Sequence, residues 1–245
     1  MPVILAIETA TDLASCALLT GGQEMLYREI PRGSGGEGQH SAQLLPQIKS
    51  MLEEAGLDYS RLDAVAFGAG PGAFTGLRMA CAMAQGIGVA HDLPLIPVVT
   101  LESLVLQIRR KNPEAQTVLA MLDARMGEVY RGFYRVGEGE PEIQGAISLV
   151  SPENLQIDIE ALALRGAVAG GNVFEAYPAI GEQLATMGDP KILSGIVPLA
   201  EDTVVRAAQI FQKQGGIDPA DAAPLYVRDR VAKTVAERLA EGGKA

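Results

Sequence analysis

The stretch from Gly68 to Gly88, GAGPGAFTGLRMACAMAQGIG, decides how this chain folds. Just before it, Ala64-Val65-Ala66-Phe67 reads as a short buried strand. Gly68-Ala69-Gly70-Pro71-Gly72 then packs three glycines and a proline into five residues, the mark of a tight turn with special backbone angles. From Thr75 to Ala90 the pattern is helical, with Thr75 as the expected N-cap.

The composition of that helix is unusual. Gly76, Ala80, Ala84 and Gly88 recur every four residues and fall on one shallow stripe, and Ala82, Gly86 and Ala90 repeat the pattern beside it. Met79, Met83 and Ile87 supply the bulk, and Arg78 and Gln85 are the only strongly polar residues from Leu77 to Ala90. A helix apolar almost all round is covered on nearly every side. Burial against its own sheet explains the composition; the sharper alternative is that one flank meets another chain. A glycine-rich turn opening a helix also suits phosphate. However, no Lys-Ser/Thr follows the glycines and GAGPGA lacks the full dinucleotide spacing, so that signal is weak.

Upstream, Val3–Ile7 is an apolar run of strand length, followed by the polar turn Glu8-Thr9-Ala10-Thr11-Asp12. Ser15–Leu19 and Met25–Ile30 complete a three-stranded meander around the Gly21-Gly22 turn. Pro31–Gly38 reads as a flexible loop. A helix follows from His40-Ser41 to Ala55, with Leu44, Leu45, Ile48, Met51, Leu52 and Ala55 as its apolar face, Pro46 as a kink or first turn, and His40 as a local polar contact. Downstream, Leu93–Val99 is a strand, Leu101–Arg110 a helix, and Asn112-Pro113 a break.

The second half begins again. Thr117–Asp123 is a strand, Ala124–Gly127 a turn, and Glu128–Val136 and Ile143–Val150 complete another meander. Leu5-Ala6-Ile7 before Glu8-Thr9 is echoed by Leu119-Ala120-Met121 before Asp123-Ala124. Ser151–Leu164 reads as a short helical stretch, Ala167-Val168-Ala169 as a strand, and Gly170-Gly171-Asn172 as a second glycine turn opening a helix near Val173. Glu201–Gln214 reads as a helix with Val204, Val205, Ala208 and Phe211 inward, and Pro224–Arg230 leads into a last polar segment with a frayed Gly242-Gly243 tail. Three strands, helix, strand, helix, written twice, is a duplicated α/β layout: residues 1–112 form one half, residues 113–245 the other, and a cleft lies between them.

The 245 residues bury a large core without staples. Aromatic residues are 4% and tryptophan is absent, so that core is built of Ala, Val, Leu and Ile. A net charge of −10 argues against a main nucleic-acid-binding surface. Cys16 and Cys81 read as buried free thiols, and two histidines are too few for most zinc enzymes. The absence of a signal peptide or long uncharged apolar run points to the cytoplasm.

LAIETAT, QHSAQLLPQI, the GAGPGAFTGLRMACAMAQGIGVA block, PVVTLESL, LDARMGEVY and PLYVRDRVAK together resemble the TsaB family over most of the chain. The resemblance implies an actin-like/Hsp70-like ATPase fold of two halves, each βββαβα. It implies a non-catalytic scaffold subunit of the complex that forms N6-threonylcarbamoyladenosine at position 37 of ANN-decoding tRNAs. It also implies partners: the catalytic paralogue TsaD, the ATPase TsaE through the complex, tRNA only via the complex, and a homodimer in the absence of TsaD.

In that paralogue a H-x-E-G-H segment binds metal through both histidines. The matching place here is Thr100-Leu101-Glu102-Ser103-Leu104, where Thr100 and Leu104 stand in the ligand positions, and leucine has no donor atom. The Glu8–Asp12 turn lacks the glycine of the Asp-x-Gly-Thr loops in actin-like ATPases, so turn and capping chemistry is expected of it. No catalytic, cofactor or metal residue is therefore assigned. The two rival functions, an M22-like metallopeptidase and a small-molecule kinase of the same fold, lack their metal, nucleophile–base pair or phosphate loops at recognisable spacing. The expected partner interface is Leu45 and Ile48 on the first helix with Met79, Ala82, Met83 and Gly86 on the second.

Overall fold

The computed structural model describes residues 1–22, 24–30, 38–137, 139–155, 164 and 166–228. The first half contains β1 (Val3–Glu8), β2 (Ala14–Thr20), β3 (Met25–Ile30), α1 (Gly38–Glu54), β4 (Ala64–Gly70), α2 (Phe74–His91), β5 (Leu95–Val99) and α3 (Thr100–Lys111). The second contains β6 (Thr117–Arg125), β7 (Glu128–Arg135), β8 (Glu142–Ile143), β9 (Ser148–Val150), β10 (Val168–Gly171), α4 (Val173–Ala176), α5 (Ala179–Thr186), β11 (Lys191–Ser194) and α6 (Ala200–Gln214).

The sheets run β3-β2-β1-β4-β5 and β11-β10-β6-β7-β8, with β9 also pairing β7. In each, the meander is antiparallel and the later strands are parallel to the first, so β1 and β6 occupy equivalent central places. The internal echo in the sequence is thus a duplicated sheet, the actin-like arrangement, and each sheet is completed by a further parallel strand and helix.

Alternation along the central strands feeds both faces. Leu5 and Ile7 point to a core shared with α1 and α2, whereas Ile4 and Ala6 pack against Ala200, Val204 and Ala207 of α6. In the second sheet, Val118, Ala120 and Leu122 meet Leu101, Leu104 and Ile108 of α3, and Leu119 and Met121 face α4 and α5. The covering helices are therefore exchanged: α3, from the first half, covers the second sheet, and α6, from the second half, covers the first. Cys16 and Cys81 are buried free thiols, as expected.

Several local expectations are corrected. Thr75 is not the N-cap: α2 begins at Phe74, and Ala73, whose methyl offers no acceptor, takes the cap position with its amide donating to the Ala10 carbonyl at 2.8 Å. α1 starts well before Pro46, which lies inside it. The Ala124–Gly127 turn shrinks to the two-residue hairpin Met126-Gly127, both with positive φ, behind a bulge at Arg125. The third strand of the second meander splits into β8 and β9 around Gly145, whose φ is +94°. Val205 points outward, because the inward stripe of α6 runs through Val204, Ala207 and Ala208 and leaves residue 205 on the far side. The Pro31–Gly38 loop up to residue 37, the side chain of His40, most of Ser151–Leu164 and everything after Arg228 lie outside the described residues.

α2 lies against the β1 end because it has no side chain where it touches. A Cβ at Gly76 would fall 1.9 Å from the Thr9 carbonyl oxygen, whereas one at Gly86 meets nothing within 4 Å. Gly76→Ala is therefore expected to lower unfolding free energy by about 2 kcal/mol or more through overpacking. Gly86→Ala should raise it by roughly 0.5–1 kcal/mol through helix propensity. Urea unfolding of the two variants checks the pair; equal stabilities would mean that α2 is not seated on Thr9.

Candidate partner-binding face and interdomain cleft

A cleft of about 510 Å³ separates the halves, lined by Thr9–Asp12 after β1, the start of α2, Asp123–Arg125 of β6, Asn172 and the strap Leu225–Arg228. This is where the two glycine turns and the two echoed acidic turns converge. Three polar groups around the first glycine turn are engaged within the chain. Gly70 N donates to Thr100 Oγ1 at 3.0 Å, Ala73 N to the Ala10 carbonyl, and Thr9 Oγ1 to the Gly76 carbonyl at 2.7 Å. The turn chemistry expected of Glu8–Asp12 is what the segment performs: Glu8 Oε1 accepts the Ala10 amide at 2.8 Å.

The cleft's charges also answer one another. Arg125 bridges the halves to Asp12 at 2.8 Å and reaches Asp123 at 3.3 Å within its own strand. Asp123 further accepts from the Arg125 amide at 2.8 Å and from the Tyr177 hydroxyl at 3.2 Å, and Asn172 Oδ1 accepts the Asp123 amide at 2.9 Å. Arg228, at the end of the strap, donates to the Ala124 and Arg125 carbonyls at 3.1 and 3.3 Å and pairs with Glu128.

Among the described residues, Glu8 is the one fully buried carboxyl beside this cleft. Its Oε2 lies where a Cβ on Gly68 would be 2.1 Å away, which explains the glycine. Thr203 Oγ1 of α6 donates to it at a long 3.4 Å. Burial pushes its carboxyl up from 4.5 to about 7, against the pull of the Ala10 and Thr9 amides and the Thr203 hydroxyl. Composition and spacing give no sign of this; only packing does.

Thr100 and Leu104, in the two positions expected from the sequence to replace metal ligands, both have structural places. Thr100 is buried and holds Gly70 N, and Leu104 is inside the second core. His91 lies at the other end of α2, stacked on Tyr59 with ring centroids 4.9 Å apart. Among the described residues no group of three His, Cys, Asp or Glu side chains is arranged to hold a metal.

α1 and α2 cover the same face of the first sheet. Of the residues expected at a partner interface, Ala82 and Gly86 are exposed, Met79 and Met83 are half-buried against the core, and Leu45 is 47% exposed on α1. Ile48 is a correction: it is wholly buried among Leu44, Met51 and Leu52, because the inward stripe of α1 passes through it and leaves Leu45 on the flank. Val89, at 73% exposure, continues the apolar outer face of α2 and was not anticipated from the sequence, though its place three residues after Gly86 was legible. The inner stripe Ala80, Ala84 and Gly88 is buried against the sheet.

A five-stranded and a six-stranded mixed sheet of equivalent order, with exchanged helices and a central cleft, define the actin-like class. Within it, residues 36–196 match the family model described as TsaD: tRNA N6-adenosine threonylcarbamoyltransferase. The chain is 34% identical over 232 residues to the tRNA threonylcarbamoyladenosine biosynthesis protein TsaB of Escherichia coli K12, across 94% of this chain and 96% of that one. It belongs to the TsaB family. The solved YeaZ from Pseudomonas aeruginosa superposes with a TM-score of 0.78 at 31% identity, covering 92% of this chain and all of that one. A second Pseudomonas aeruginosa structure, described as similar to peptidase YEAZ, gives 0.79 at 33%, covering 93% and 100%.

The Glu8 carboxyl generates a pH signature. A carboxyl raised from 4.5 to about 7 in the folded chain contributes stability that is complete below pH 4.5 and is lost as pH rises through 7. At ~1.4 kcal/mol per pH unit the loss is roughly 3 kcal/mol. Glu8→Gln keeps the acceptor for Ala10 and removes the charge. It should be more stable than the parent above pH 7 and equal to it near pH 4.5, in denaturant titrations across that range. Parallel pH curves for the two proteins would place no titration at Glu8.

Proposed function

We propose that this chain is the non-catalytic scaffold subunit of the cytoplasmic assembly that forms N6-threonylcarbamoyladenosine at position 37 of ANN-decoding tRNAs. It binds the catalytic paralogue TsaD, works with the ATPase TsaE through that assembly, and meets tRNA only within it. Without TsaD it pairs with itself. Family membership supplies the pathway. The observation that carries the scaffold role is the outer face of α2, where Ala82, Gly86 and Val89 are exposed beside the half-buried Met79 and Met83. Small residues there admit a partner helix to about the 8–10 Å of packed helices. Thioether side chains adapt to a face that meets either a copy or a paralogue. A paralogue recognised by the same family model offers the homologous helix, hence a pseudo-symmetric pair.

The rival functions gain no support from the site. A metallopeptidase needs ligands where Thr100 is tied to Gly70 and Leu104 is core. A kinase needs phosphate donors, and two amides of the glycine turn, Gly70 and Ala73, are held instead by Thr100 and Ala10. A net charge of −10 also repels phosphate within about a Debye length, ~8 Å at physiological salt.

Co-purification with the organism's own TsaD tests the interface. Ala82→Arg or Met83→Asp would bury an unpaired charge on association, costing several kcal/mol, and should abolish the heterodimer and raise the monomer fraction in sedimentation. Circular dichroism supplies the folding control, and normal TsaD binding by a folded variant would place the interface elsewhere. The isolated protein is expected to carry no stoichiometric zinc or iron on elemental analysis and to transfer no threonylcarbamoyl by itself. Robust modification without TsaD would refute the scaffold role.

A further inference from the structure

The strap that follows α6 runs along one flank of α2, against its direction. The carbonyls of Pro219 and Ala222 accept from Gln85 Nε2 at 3.0 and 3.1 Å. Further on, Leu225 N donates to the Ala69 carbonyl at 2.7 Å, and the Tyr226 hydroxyl accepts from Arg78 Nε at 3.0 Å. The Tyr226 ring lies 5.8 Å from that of Phe74, in the first turn of α2. Arg228 then fixes the strap to the second half. Asp229 therefore leaves the strap three residues after one that touches the start of α2.

Beyond the described residues, the sequence from Asp229 to Glu241, DRVAKTVAERLAE, has a pattern of its own. Val231, Ala232, Val235, Ala236, Leu239 and Ala240 recur at the spacing that gathers apolar side chains on one half of a helix, and every residue between them is polar. Asp229 is a capping residue type before this run, and Gly242 a stop after it. A helix of about 12 residues is marginal by itself in water, so such a segment draws its stability from an apolar surface.

α2 offers that surface. Val89 is 73% exposed and Phe74 39%, Ala82 and Gly86 are open between them, and Met79 and Met83 are half-buried beside them. The strongly polar side chains of the helix, Arg78 and Gln85, are turned to the strap. At 1.5 Å per residue the face from Arg78 to Val89 is ~16 Å long, and residues 230–241 as a helix would be ~18 Å. Other exposed apolar side chains, Ile143, Ile192 and Val205, stand on three different elements, β8, β11 and α6. Tethering decides between this segment and a second copy. A segment on a short tether meets its surface at an effective concentration on the order of millimolar, which a separate chain matches only by being that concentrated itself.

We infer that residues 229–241 lie along the outer face of α2 in the unassociated chain, apolar side inward, and that a protein using this face must displace them. The docking stands apart from the identity of the partner; the displacement rests on the outer face of α2 being the partner surface.

Disulfide trapping in the full-length protein at low micromolar concentration tests the docking. Gly86→Cys, at a position where a Cβ meets nothing within 4 Å, is combined in turn with Val235→Cys, Glu237→Cys and Leu239→Cys, and peptide mapping separates the products from the buried Cys16 and Cys81. Val235→Cys and Leu239→Cys should cross-link within one chain about tenfold faster than Glu237→Cys, which lies between them in sequence but on the polar side. Equal rates for the three, or cross-links only between chains, would overturn the docking. This arm needs no partner, so its outcome is separate from that of the scaffold role. For the displacement, Leu239→Glu in the full-length chain should strengthen self-association and TsaD binding severalfold in sedimentation, with Glu237→Gln unchanged. Face-specific trapping with unaltered association would overturn the displacement and leave the docking standing.

Discussion

The contact of Gly76 with the Thr9 carbonyl constrains everything around it. No residue with a Cβ fits where that atom would come 1.9 Å from a backbone oxygen. The helix start, the glycine turn and the β1–β2 turn are thereby pressed into one layer, stitched by Ala73 to Ala10 and Thr9 to Gly76. The same pressure buries Glu8 beneath Gly68 and brings Thr100 onto Gly70. A turn that in outline suits an anion commits two of its amides, Gly70 and Ala73, to its own chain. The side of α2 facing away from that layer is left exposed at Ala82, Gly86 and Val89.

The exchange of α3 and α6 makes the two halves one body. Ser103 and Thr203 share a buried hydrogen bond at 2.9 Å where the helices meet, and Arg206 pairs with Glu102 at 2.6 Å and with Glu140 at 3.0 Å. The Ala200 amide, at the start of α6, is held by Ser15 of β2 at 2.9 Å. These small hydroxyls are what permit close crossing, and each is satisfied, as buried polar groups must be to avoid a desolvation penalty. Both faces of β1 are consequently covered, one by α2 and one by α6, while the far side of α2 has no neighbour among the described residues that would cover Ala82, Gly86 or Val89. A core tied together by exchanged helices, with one under-covered helix outside it, suits the scaffold role proposed above.

Much of this was legible in the residues. Val3–Ile7 and Thr117–Asp123 are apolar runs that end in acidic turns, and that echo alone announces a duplicated sheet, since local pattern and burial agree in both. The four-residue spacing of Gly76, Ala80, Ala84 and Gly88 determines that α2 lies close to something, because side-chain size sets how near two backbones come. Only the tertiary structure decided which stripe is inner. Ala80 and Ala84 and Ala82 and Gly86 are chemically alike, and the choice between them depends on how Gly76 is docked on Thr9, 67 residues away in sequence. The same holds for Ile48 against Leu45, adjacent on one apolar stripe yet divided between core and surface by the angle at which α1 meets the sheet. It holds most for Glu8 and Arg78. Their residue types are plain in the sequence, but a carboxyl held near neutrality and a guanidinium fixed by Tyr226 are created by neighbours that arrive from α6 and from the strap, and long-range packing has no local signature.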